Sequence, residues 1–128
     1  MTNYSKPIVT VDAGMAEGVY ADSGCYSVGA YIHQWPREGF DQYCIQVDGT
    51  HAASHTTNHQ TLYLTFNEAV SYRSSHGTPI QKDGTTISIQ YSYFHNGNDN
   101  AGLGDIYVFC EDRTSLQITG CRLVDNDN

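Results

Sequence analysis

The sequence predicts an all-β chain, an antiparallel β-sandwich or jelly roll of seven to nine strands. Apolar residues recur with period two rather than 3.6 almost wherever a pattern exists. The runs are short and separated by clusters of Gly, Asn and Asp, the spacing of a sandwich. Asp83-Gly84, after Ile80-Gln81-Lys82, reads as a two-residue hairpin turn, because a type I′ turn needs positive φ at both central positions.

The elements follow in order. Ile8, Val9 and Val11 open the first run. A strand over 25–33 comes next, then one over 42–47 with Tyr43, Ile45 and Val47 on one face. Over 60–66, Leu62, Leu64 and Phe66 point inward and Tyr63 and Thr65 outward; 70–73 is a shorter run. Over 85–94, Ile87, Ile89, Tyr91 and Tyr93 alternate with Ser88, Gln90 and Ser92. Over 105–110, Ile106, Val108 and Cys110 alternate with Asp105, Tyr107 and Phe109. The last run, 115–124, carries Leu116, Ile118 and Leu123. Residues 52–60 are the one place for a short helix, and 125–128 read as a cut or frayed end. No repeat or linker divides the chain, so 1–128 is expected to be one domain, long enough for its own core.

Charge narrows the partners. The net charge is −8, with only six Lys and Arg. Nucleic acid and anionic lipid both demand clustered positive charge, so neither is an expected partner. No run approaches the roughly 18 apolar residues of a membrane helix, and no basic segment followed by an apolar stretch opens the chain as a signal peptide would. Neutral or cationic partners remain, and so do sugars and other polyols.

Cysteines 25, 44, 110 and 121 lack the paired C-x-x-C spacing of a structural zinc site. An even count in a small chain rich in Tyr, Ser and Thr fits disulfides formed in an oxidising, secreted or cell-surface setting. Three connectivities exist. The preferred one is local, Cys25 with Cys44 and Cys110 with Cys121, each stapling a predicted hairpin; the alternative is four buried thiols.

Three segments carry candidate chemistry. In the first, 91–109, two strand-like runs flank a loop with Asn96, Asn98, Asp99, Asn100 and Asp105, loosened by Gly97, Gly102 and Gly104. Calcium takes six to eight oxygen ligands in a flexible shell, so Asn98, Asp99, Asn100 and Asp105 form an expected calcium set. Asp12, Glu17 and Asp22 are possible further donors from another loop. The plainer reading is a turn, since these residues tolerate left-handed backbone. The helix–loop–helix calcium motif is not met: the glycine falls one place late, and Tyr107 stands where its bidentate Glu belongs.

The second segment holds His51, His55 and His59. On a helix they would share one stripe and could hold zinc or nickel. On a strand they would spread over roughly 26 Å, too far for one ion. The segment lacks apolar residues at helical spacing, so an exposed loop is the plainer expectation, and any metal recovered there would be adventitious. It also lacks the Glu beside the first His that a metalloprotease helix uses.

The third is aromatic. Trp35, the only tryptophan, lies in a turn-like connection and could stack on a sugar ring, as could Tyr107; Trp also commonly packs at a core edge.

The strand, the loop at Asn96, Asn98, Asp99, Asn100 and Asp105, and the strand Ile106-Tyr107-Val108 resemble the calcium-dependent sugar-binding sandwiches of bacteria, small lectins and carbohydrate-binding modules. The likeness covers about a sixth of the chain. It implies calcium as cofactor, held by side-chain oxygens, and a carbohydrate partner whose hydroxyls the metal coordinates. Asn96, Asn98, Trp35 and Tyr107 are then the expected sugar contacts. No G-x-S-x-G elbow, H-E-x-x-H or phosphate loop is present, so catalysis is not expected. The expected function is non-catalytic, calcium-assisted carbohydrate binding, with a disulfide-stiffened structural or adhesive module as the alternative.

Overall fold

The structure is a computed structural model that describes residues 18–23 and 25–126. Eleven strands are β1 Gly18–Ser23, β2 Tyr26–Gln34, β3 Tyr43–His51, β4 Thr56–Thr57, β5 Gln60–Ser74, β6 Thr78–Gln81, β7 Asp83–Tyr91, β8 His95–Asn96, β9 Asp99–Asn100, β10 Gly104–Phe109 and β11 Ile118–Asp125. Every pairing between them is antiparallel. The chain is therefore all-β, a β-sandwich, and no described helix is long and apolar enough to cross a membrane. The expected first run at Ile8, Val9 and Val11 lies outside the described residues, as do Asp12 and Glu17.

One layer runs β1-β2-β3-β10. The other is built on the first half of β5, with β11 on one edge and β7, then β6, on the other. The second half of β5 pairs with β10 and joins the layers. Across the core, β11 packs on β1 and β2. The period-two residues fill the space between: Val28, Ala30, Ile32, Ile45, Val47, Leu62, Leu64, Ile87, Ile89, Ile106, Val108 and Leu123 are all at most 2 % exposed. Each large side chain among them contributes about 1.5–3 kcal/mol on burial.

Several expectations are corrected. Residues 60–66 and 70–73 belong to one strand, β5, whose register with β7 shifts between Thr65 and Val70. The bulge bends β5 so that its halves serve different neighbours. Asp83-Gly84 lies within the β6–β7 reversal but does not form a two-residue turn: the last β6–β7 pair is Gln81 with Ser88, and in the connection between them Asp83 and Gly84 pair with Ser71 and Val70 of β5. Gly84 keeps its positive φ of 122° there. Residues 52–60 form no helix; irregular backbone leads into β4 and on to β5. Asp125 is no frayed end but the last residue of β11, opposite Gln60, and Asn126 N–H donates to the His59 carbonyl at 2.8 Å.

All four cysteines are free thiols. Cys25 adjoins Tyr26, which pairs with His51, whereas Cys44 pairs with Gln34. Those positions are opposite ends of the β2–β3 hairpin, about 26 Å apart. Cys110 follows Phe109, opposite Ser71, while Cys121 lies opposite Leu64, about 20 Å away along β5. A disulfide needs Cα atoms within about 7 Å, so neither local pairing forms.

Candidate metal centre

One pole of the sandwich gathers four donors from distant parts of the chain. Cys25 sits just before β2, and its carbonyl accepts Ala52 N–H at 2.8 Å. His51 ends β3 across from Tyr26. His55 lies in the irregular stretch before β4, and Asp125 ends β11. One ligand atom from each lies within 4.8 Å of all the others.

The contacts converge on a single atom. His55 Nε2 lies 3.8 Å from Cys25 Sγ, 3.4 Å from His51 Nε2 and 2.9 Å from Asp125 Oδ2. A nucleophilic triad needs a relay, with the thiol on one imidazole nitrogen and the carboxylate on the other. Here both face the same nitrogen, so no relay exists. Burial, followed by the charge of Asp125, pushes the Cys25 thiol above its ordinary value. That is the wrong direction for a free nucleophile, and it reverses once a cation sits among the donors.

The remaining polar atoms of His51 and Asp125 are spoken for. His51 is fully buried, and its Nδ1 meets the Gly97 carbonyl at 2.6 Å. A carbonyl only accepts, so Nδ1 carries the proton and Nε2 presents its lone pair to the centre. Thr57 Oγ1 donates to Asp125 Oδ1 at 2.5 Å, leaving Oδ2 inward. Gly97 N–H donates to the His55 carbonyl at 3.1 Å, so one glycine braces both histidines. Its φ of 69° is left-handed backbone, which suits glycine. Tyr26 tilts against His51 with ring centroids 5.0 Å apart, and His95 stacks on it at 6.1 Å. The His55 side chain is 49 % exposed against 9 % for Asp125, so His55 forms the solvent side.

The other candidate residues fall elsewhere. Asp99 pairs across from His51, and Asp105 across from Gln46, about 17 Å apart along β3. The expected calcium set of Asn98, Asp99, Asn100 and Asp105 is thus not brought together. Asp99 instead accepts from His95 Nδ1 at 3.1 Å, which with the Asn100 N–H holds its carboxyl below the usual range. Asp105 accepts from Gln46 Nε2 at 2.7 Å. Asn98 and Asn100 line a shallow cleft with Thr50, His51, Ala52 and Asp99. Asn96 accepts from Thr56 at 3.0 Å. Trp35 is half-buried at the core edge, 5.3 Å from the Tyr43 ring, and Tyr107 meets Phe40 at 5.8 Å. Trp35 and Tyr107 lie at the Cys44 end of β3, roughly 20 Å from Asn96 and Asn98 at the other end. The expected sugar contacts therefore divide between two ends of the sheet.

Sequence reasoning marked His51 and His55 but added His59, which is exposed and outside the donor set. It missed Cys25 and Asp125 as ligands. Their only signal was chemical type, because 100 residues of chain (125 − 25) separate them.

The chain matches no known protein family, and no curated protein is detectably similar to it in sequence.

Proposed function

We propose that this β-sandwich binds one divalent transition-metal ion through Cys25 Sγ, His51 Nε2, His55 Nε2 and Asp125 Oδ2, and that the ion ties the ends of the fold together. The observation that carries this reading is the convergence of four donor atoms, two of whose companion atoms are tied to Gly97 and Thr57. One thiolate, two imidazoles and one carboxylate suit a borderline ion and disfavour calcium, which takes oxygen alone. Four protein ligands fill a tetrahedron, the mark of a structural rather than catalytic site. The test is zinc titration of metal-stripped protein with elemental analysis after desalting. One equivalent retained by the wild type and lost in Cys25→Ser supports the centre; no retained metal overturns it.

A second reading keeps carbohydrate binding but moves it to the outer face of β2, β3 and β10. Tyr31, Gln46 and Asp105 stand in one row across the three strands, joined by Tyr31 O–H to Gln46 Oε1 and Gln46 Nε2 to Asp105 Oδ1. Tyr107 and Phe40 lie beside them. Such a row offers fixed polar atoms beside aromatic rings, the combination that orients a sugar. Glycan binding that survives chelation and falls with Gln46→Ala supports this reading; an array blank under both conditions removes it.

A further inference from the structure

The centre's immediate ligands do not by themselves decide which ion it takes. A carboxylate binds a metal through one oxygen or two, and the second oxygen raises the coordination number by one. In this chain the second oxygen, Asp125 Oδ1, accepts the Thr57 hydroxyl at 2.5 Å. Thr57 is fully buried and lies in β4, paired across to His95 of β8. Next to it Thr56 pairs with Asn96, main chain to main chain and hydroxyl to amide. The hydroxyl therefore projects from a pinned piece of backbone. Asp125 is held equally well, since it closes the β11–β5 ladder opposite Gln60.

We infer that Thr57 determines the metal specificity of this centre: by occupying Asp125 Oδ1 it keeps the carboxylate monodentate, and so builds a four-coordinate site for Zn²⁺ or Co²⁺ rather than for ions that need a larger shell, such as Mn²⁺. This rests on the four-donor centre proposed above. His51 is fixed in the same manner by the Gly97 carbonyl, so two of the four donors present a single atom through a hydrogen bond outside the ligand shell. Four single-atom donors within 4.8 Å need to draw in by only about 1 Å to reach the roughly 3.3–3.8 Å edges of a tetrahedron with metal–ligand bonds of about 2.0–2.3 Å. Thr57 is a positioning residue and touches no metal itself.

The experiment is Co²⁺ absorption spectroscopy with Zn²⁺/Mn²⁺ competition on the full chain, for wild type, Thr57→Val and Thr57→Ser. Wild type is expected to show the intense ligand-field bands of four-coordinate cobalt together with a thiolate charge-transfer band. Thr57→Val keeps the charge-transfer band, loses ligand-field intensity as Asp125 becomes bidentate, and lowers the zinc-over-manganese preference about 10–100-fold. Thr57→Ser, which retains the hydroxyl, restores both. Thr57→Ala replaces the valine variant if that chain does not fold. A wild-type spectrum and preference in the hydroxyl-free variant overturn the role of Thr57 and leave the centre standing. A wild type without a thiolate band overturns the centre, and this inference with it.

Discussion

At the scale of single residues, what matters is which atom of a side chain is left over once its neighbours are satisfied. His51 offers Nε2 because Gly97 takes Nδ1, and Asp125 offers Oδ2 because Thr57 takes Oδ1. Asp112 shows the same logic without a metal. Its carboxylate accepts the Ser115 hydroxyl and the backbone N–H groups of Thr114 and Ser115, the latter two each at 3.0 Å. These bonds, the Ser115 hydroxyl first, hold its pKa down at about 2 against an ordinary 3.8. A depressed folded value means stability that is present above the unfolded pKa and lost as pH falls through the folded one. The 112–115 turn should therefore hold at pH 4 and loosen between about pH 4 and pH 2. An NMR titration of the Asp112 carboxyl should find its midpoint near 2; a midpoint at 3.8 would mean the turn is not formed. Asp112→Ala should remove that pH dependence.

At the scale of elements, the hairpin β2–β3 helps place two of the four donors, and its register is what must be kept. Gly49 lies opposite Val28, and a Cβ there would stand 2.1 Å from the Ser27 carbonyl oxygen and 2.7 Å from Val28 Cγ1. The first of these is rigid backbone, so the strands must part. Gly49→Ala is expected to destabilise the fold by about 1–3 kcal/mol, read from chemical denaturation, and to weaken zinc retention because His51 lies two residues on. Unchanged stability would show that the hairpin has slack the register does not suggest. The alternation of Val28, Ala30 and Ile32, and of Tyr43, Ile45 and Val47, was legible because each strand buries one face. The merging of 60–66 with 70–73 was not, because a bulge interrupts period two without ending the strand. Strand β11 was legible through Ile118 and Leu123, but its final residue looked like a polar tail. Only its pairing with Gln60 shows that Asp125 is held.

At the scale of the whole molecule, the proposed ion links the start of β2, the end of β3, the approach to β4 and the end of β11. Binding to the folded state alone adds stability by mass action, about 2.7 kcal/mol at free zinc one hundred times the Kd. Thermal unfolding of the metal-loaded protein should shift downward on adding EDTA, and Cys25→Ser should unfold at a midpoint indifferent to zinc. Equal midpoints with and without EDTA in the wild type would mean the ion contributes nothing to the fold. A core substitution serves as the contrast. Leu64 is fully buried between the layers, so Leu64→Ala should cost about 2–5 kcal/mol whether or not zinc is present.

The sequence alone determined the fold class, the strands that bury one face and the acidic charge that argues against nucleic acid. Those properties are local or additive: period-two burial acts over neighbouring residues, and charge sums over the chain. It also marked His51 and His55, four residues apart. Only the tertiary structure decided that Cys25 and Asp125 meet them, that Cys25 lies far from Cys44, and that Asp99 and Asp105 stand apart. The reason is physical. An ion's ligand shell is a few ångströms across, and sequence spacing constrains such distances only within one turn or one hairpin. Which strand ends share a pole depends on the order of strands in the sheets, and that order is set by packing of the whole core.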